Sequence, residues 1–86
     1  MKRHQKTPPE HIVNVSYPGS LNPRHFDTEI TVAAGRKSDG SGYCFITGER
    51  DLSFWFRTRQ GAENCAIRIR GEKIHRRLKV RVYHDI

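Results

Sequence analysis

The chain has 86 residues, of which only 35% are hydrophobic and 29% are charged, and its formal charge is +7. That length accommodates one domain with a small core, and the absence of an 18-residue uncharged apolar run excludes a membrane-spanning helix. Two cysteines, Cys44 and Cys65, can form one disulfide at most and cannot ligate zinc unaided.

Residues 1–11 hold Pro8-Pro9 and several cations but no periodicity, and read as a disordered basic tail ahead of a single α+β domain over 12–86. No apolar stretch follows the basic N-terminal residues, so a cytoplasmic protein is expected rather than a secreted one. Ile12–Tyr17 alternates briefly, which predicts a short strand with Val13, Val15 and Tyr17 on one side. Pro18-Gly19 and Asn22-Pro23 mark turns, and residues 18–27 read as irregular.

Thr28–Ala34 alternates again and predicts a strand over about 28–35. A polar glycine-bearing loop leads to a second strand over 43–47. The turn Gly48-Glu49-Arg50-Asp51 then leads to a third, over about 51–57, with Leu52, Phe54 and Phe56 on one face. Together the three form an antiparallel meander.

Beyond Arg57, Ala62, Cys65, Ala66 and Ile69 recur at helical spacing. Thr58 is placed to cap a helix over 58–70, Gly71 to end it, and Arg68 and Arg70 to complement its dipole. Cys65–Arg70 also alternates, and as a strand it would convert the domain into a five-stranded OB-like barrel. The apolar stripe and the two end signals favour the helix. A final strand over 78–84 puts Leu78, Val80 and Val82 on one face.

With the helix packed on that apolar face, the strand period sends Ser53, Trp55 and Arg57 to the other, together with Lys79, Arg81 and Tyr83. If Cys44 and Ile46 point to the helix, Tyr43 and Phe45 join them. The opposite register of the second strand is the alternative. Arg76 and Arg77 would extend this face at its mouth. The charge supports the same focus, because residues 57–86 contain nine basic and three acidic residues. Aromatic rings interleaved with cations suit the bases and phosphates of single-stranded nucleic acid. The competing arrangement lays residues 12–27 across the aromatics as a second core layer.

Gly42-Tyr43-Cys44-Phe45-Ile46-Thr47 resembles the ribonucleoprotein strand motif of RNA-recognition motifs and cold-shock domains. Asp51-Leu52-Ser53-Phe54-Trp55-Phe56 is similar to the second aromatic strand of cold-shock domains. The resemblance covers residues 41–57 and implies base stacking on Tyr43, Phe45 and Trp55. Ser41, Cys44 and Ser53 depart from the pattern.

The five histidines show no ligand spacing, so neither a metal nor a cofactor is expected. Asp39-Gly40-Ser41-Gly42 lies between strands, unlike a phosphate-cradling loop before a helix. Both cysteines fall on apolar faces in this arrangement, the pattern of buried free thiols in a reducing compartment. No nucleophile, base and orienting group form a set, so the expectation is a non-enzyme that binds nucleic acid, RNA favoured. A module gripping an acidic protein partner is the alternative, and no membrane partner is implied.

Overall fold

A computed structural model describes residues 10–84. The elements run β1 (His11–Pro18), α1 (Pro23–Ala34), β2 (Gly40–Cys44), β3 (Glu49–Phe56), α2 (Arg59–Gly71) and β4 (Lys79–His84). The strands form one open sheet in the order β2-β3-β1-β4, with every neighbouring pair antiparallel. This is the split β-α-β arrangement, with a helix on each of its two crossovers. The α+β class is as expected, but there are two helices rather than one, and the sheet is no barrel. Residues 1–9 of the expected tail lie outside the described residues, whereas His11 opens β1 and is buried.

The strand expected over 28–35 is instead the body of α1. Asn22 caps that helix by accepting the His25 backbone N–H, Pro23 occupies its first turn, and Gly35 closes it at φ 76°. This is the usual placement of proline inside the start and glycine just past the end. Thr28 and Thr31 donate their hydroxyls to the carbonyls of Arg24 and Asp27 one turn back. Phe26, Ile30 and Ala34 then follow at helical spacing, the latter two buried.

Residues 12–17, expected to be a short strand, form the middle of β1. They lie between β3 and β4 in the sheet rather than across its face. Val13, Val15 and Tyr17 are fully buried beneath the helices beside Leu52 and Phe54. The helix expected at 58–70 is α2 (Arg59–Gly71), with Thr58 accepting the Gly61 N–H and Arg68 and Arg70 in the last turn. Its stripe Ala62, Cys65, Ala66 and Ile69 is buried against the sheet. Burying large side chains such as Phe54 and Ile69 stabilises by about 1.5–3 kcal/mol each.

One polar cluster ties three elements together. The Tyr17 hydroxyl on β1 donates to the Asp27 carboxylate on α1. Arg50 on β3 holds the same carboxylate through Nε at 2.9 Å and Nη2 at 2.6 Å. Burial opposes ionisation of Asp27, but the hydrogen bonds from Arg50 and Tyr17 outweigh it and hold the carboxyl below its ordinary range. Burial, followed by the adjacent Asp27, pushes the Tyr17 phenol up.

A depressed carboxyl contributes stability above its unfolded pKa and loses it as pH falls through the folded value. A raised phenol contributes below its unfolded pKa and loses it as pH rises. Asp27→Asn should therefore lower unfolding stability at neutral pH by roughly 1.5–3 kcal/mol. The gap to the parent should close in denaturant titrations carried below the ordinary carboxylate range.

Candidate nucleic-acid interface

Both helices cover one side of the sheet, and the strand period sends alternate residues to the other side. Register defines the rows of that open side. Ile12 on β1 lies between Trp55 on β3 and Tyr83 on β4, and in the next row Asn14 lies between Ser53 and Arg81. Trp55 is 38% exposed and Tyr83 49% exposed, so neither ring is walled in. Their strands are two spacings apart, which separates the rings by about 10 Å.

Neighbouring groups hold this end of the sheet. The Trp55 backbone N–H donates to Asp39 Oδ2 at 2.8 Å, and the Asp39 N–H donates back to the Ser53 carbonyl. That exchange continues the β3 edge beyond the end of β2. Asn14 donates to the Ser53 hydroxyl at 3.3 Å. On the helix side, His11 and His84 meet Nδ1 to Nδ1 at 2.7 Å, and His84 Nε2 lies 3.7 Å from Glu63 of α2. One ring must carry the proton and the other the lone pair, so the contact clamps the end of the β1–β4 pair beside the Trp55 row. The five histidines gave no spacing that foretold this pair, because its sequence separation of 73 is closed only by strand pairing.

Four of the expected site residues are brought together or nearly so: Trp55, Arg81 and Tyr83 share the open side, and Arg57 follows immediately after β3, exposed. Lys79 also lies on this side, but its ammonium pairs with Glu49 at 3.2 Å. Glu49 and Asp51 belong to β3 rather than to a turn, so that end of the face is largely neutralised. Arg81 and Arg57 make no ion pair among the described residues.

Tyr43 and Phe45 do not join the face. β2 ends at Cys44 and pairs Tyr43 with Arg50, whose own partner is the buried Tyr17, so Tyr43 lies in the helix-side register. Its ring closes over Gly19, where an added Cβ would overlap it. Phe45 is 89% exposed in the β2–β3 turn and meets Tyr43 edge to face. Six residues of β3 separate that turn from Trp55, about 20 Å along the strand. The inverted register of the second strand is thus the one adopted. Arg76 and Arg77 lie in the connection before Lys79, at the far end of β4 from Tyr83. Ile12 and Asn14, absent from the expected set, complete the surface; their alternation with Val13 and Val15 was the available signal.

The same register reverses one expectation for the cysteines. Cys44 is exposed, and hydrogen bonds from the Thr47 side chain and from the backbone of Thr47 and Ile46 hold its thiol below the ordinary value. Cys65 is buried, and burial pushes its thiol up. Among the described residues, no group of three or more His, Cys, Asp or Glu is placed to hold a metal ion. Among the described residues, no helix is long and apolar enough to cross a membrane. Comparison of the chain with family models, curated proteins and solved structures gave no match.

These placements are checked by thiol labelling. In native protein at neutral pH, Cys44 should react stoichiometrically with a maleimide within minutes, while Cys65 should react only after denaturant is added. Rapid native labelling of both would contradict the assigned burial.

Proposed function

We propose that this domain binds single-stranded nucleic acid, RNA favoured, on its open sheet face, without catalysing a reaction. The observation that carries the reading is the Trp55–Ile12–Tyr83 row, two accessible rings on an uncovered sheet next to the guanidinium of Arg81, which has no ion pair among the described residues. Flat rings give base stacking, worth about 1–3 kcal/mol per base, and a cation beside them meets the backbone. RNA-recognition motifs use a four-stranded sheet with aromatic stacking positions in this way, although a shared architecture does not by itself assign a function.

Each residue then has a distinct part. Trp55 and Tyr83 stack bases about 10 Å apart, held away from one another by the aliphatic Ile12. Asn14 and Ser53 offer amide and hydroxyl groups to base edges or sugar hydroxyls between the rings. Arg81 and Arg57 meet phosphates, and the opposite end, where Glu49 pairs with Lys79, offers the strand little net attraction. The footprint is therefore short, confined to the end of the sheet where the two rings lie.

A protein-interaction module is the competing reading. It is supported by the exposed Phe45 and Ile46 at the hairpin tip, which the nucleic-acid surface does not use. Titration of fluorescent oligo(U) and oligo(dT) across a salt series separates the two. Trp55→Ala should weaken binding by roughly 5–150-fold, the equivalent of one stacked base. Arg81→Glu should weaken it and flatten the salt dependence, whereas Phe45→Ala should leave it unchanged. Equal affinities for parent, Trp55→Ala and Arg81→Glu would refute the proposal.

A further inference from the structure

A second feature lies on the helix side of β4, away from the Trp55 row. The last turn of α2, the connection over residues 72–78 and the start of β4 enclose an open cavity of about 460 Å³. Its floor is Ile69, Ile74, Leu78 and Val80; Ile69 is fully buried, and the other three pack against the core from its margin. Its wall carries Arg70, Lys73 and Arg76. None of these three cations has a carboxylate partner among the described residues, where acids neutralise Arg36, Arg50, Arg59 and Lys79.

The wall is shaped by defined contacts. Arg70 reaches across the opening to donate to the Val80 carbonyl at 2.9 Å, which fixes its guanidinium at the mouth. His75 accepts the Arg77 backbone N–H through Nδ1 at 3.1 Å and sets its ring edge-on against Phe26 of α1. Lys73 has φ 50°. It is the only non-glycine residue in the left-handed region among the described residues, at a position after a helix where glycine fits without strain. The lysine at this position puts an ammonium on the cavity wall that glycine would not supply.

An apolar floor of this size beneath a cluster of unneutralised cations matches a molecule with an apolar body and one anionic end. From this we infer that the cavity binds a free single-chain amphipathic anion. The chain lies along Ile74, Leu78 and Val80, above the buried Ile69, and a carboxylate or phosphate-ester head meets Lys73, Arg76 and Arg70. A nucleic-acid strand would satisfy the cations but leave the apolar floor uncovered. The site is independent of the sheet face and shares no residue with the Trp55 row.

The test is calorimetric titration of the full chain with decanoate and decyl phosphate below their micellar concentrations, with decanol as the uncharged control and phosphatidylglycerol vesicles as a separate bilayer arm. Methyl NMR shifts would be followed at Ile69, Ile74, Leu78 and Val80. Saturable one-to-one binding of at least one anion is expected, with shifts at those methyls and at least tenfold weaker binding of decanol. The double variant Lys73→Gly/Arg76→Ala should fold with unchanged or higher thermal stability, because glycine relieves the left-handed backbone, yet bind the anion at least tenfold more weakly. Trp55→Ala should bind it as the parent does, so failure of the nucleic-acid reading leaves this result standing. Absence of saturation, equal binding of decanol, unchanged affinity in the double variant, or binding only to phosphatidylglycerol vesicles would overturn the inference.

Discussion

The structure depends on one strand being paired on both sides while only one of its faces is covered. β1 lies between β3 and β4, and its period of two divides Val13, Val15 and Tyr17 from Ile12, Asn14 and Ser16. β1 and β2 run parallel, as do β3 and β4, and each parallel pair is joined through a helix. The right-handed rule for such crossovers sends both helices to the same side of the sheet. The helices supply all the apolar cover the small chain can spare, so the opposite face meets solvent. The open face that could bind a ligand and the buried core are thus consequences of the same topology.

Holding that topology with few hydrophobic residues requires polar contacts that join elements rather than decorate them. Tyr17, Asp27 and Arg50 link β1, α1 and β3 through a single carboxylate. Arg68 of α2 donates to the Ala34 carbonyl at 2.9 Å, closing the C-terminal end of α1. Arg70 does the same for the outer edge of β4 at Val80. Several of the chain's arginines therefore act as structural donors while keeping their charge. Among the described residues, the cations without a carboxylate partner include Arg57 and Arg81 near the aromatic row and Arg70, Lys73 and Arg76 around the cavity behind β4.

Under the proposed nucleic-acid reading, the placement of charge bears on recognition. A uniformly basic sheet would attract any polyanion, but Glu49 and Asp51 offset one end of this one. Specificity would then depend on the two accessible rings and the polar pair Asn14 and Ser53 more than on long-range attraction. The apolar hairpin tip is remote from that surface and belongs to a separate part of the molecule's exterior.

Local patterns in the sequence were sufficient for β1, α2 and β4. The alternation around Val13 and Val15, the stripe Ala62–Ile69 with its Thr58 cap, and the run Leu78–Tyr83 each carry one unambiguous period or a decisive end signal. Trp55, Arg81 and Tyr83 could be assigned to one side from period alone. The α1 segment could not, because Ile30, Val32 and Ala34 satisfy a strand's alternation while Phe26, Ile30 and Ala34 satisfy a helix's spacing. The caps at Asn22 and Gly35 and the packing of Ile30 decide between them. Tyr43 and Phe45 were misplaced because a strand's two faces are interchangeable until its partner sets the register, and the side of Tyr43 is set by Arg50, which pairs in turn with the buried Tyr17 of the distant β1. The histidine clamp and the order of the strands arise in the same way. Periods and caps are written in neighbouring residues, whereas register and adjacency are set by which distant segments bury their apolar sides together.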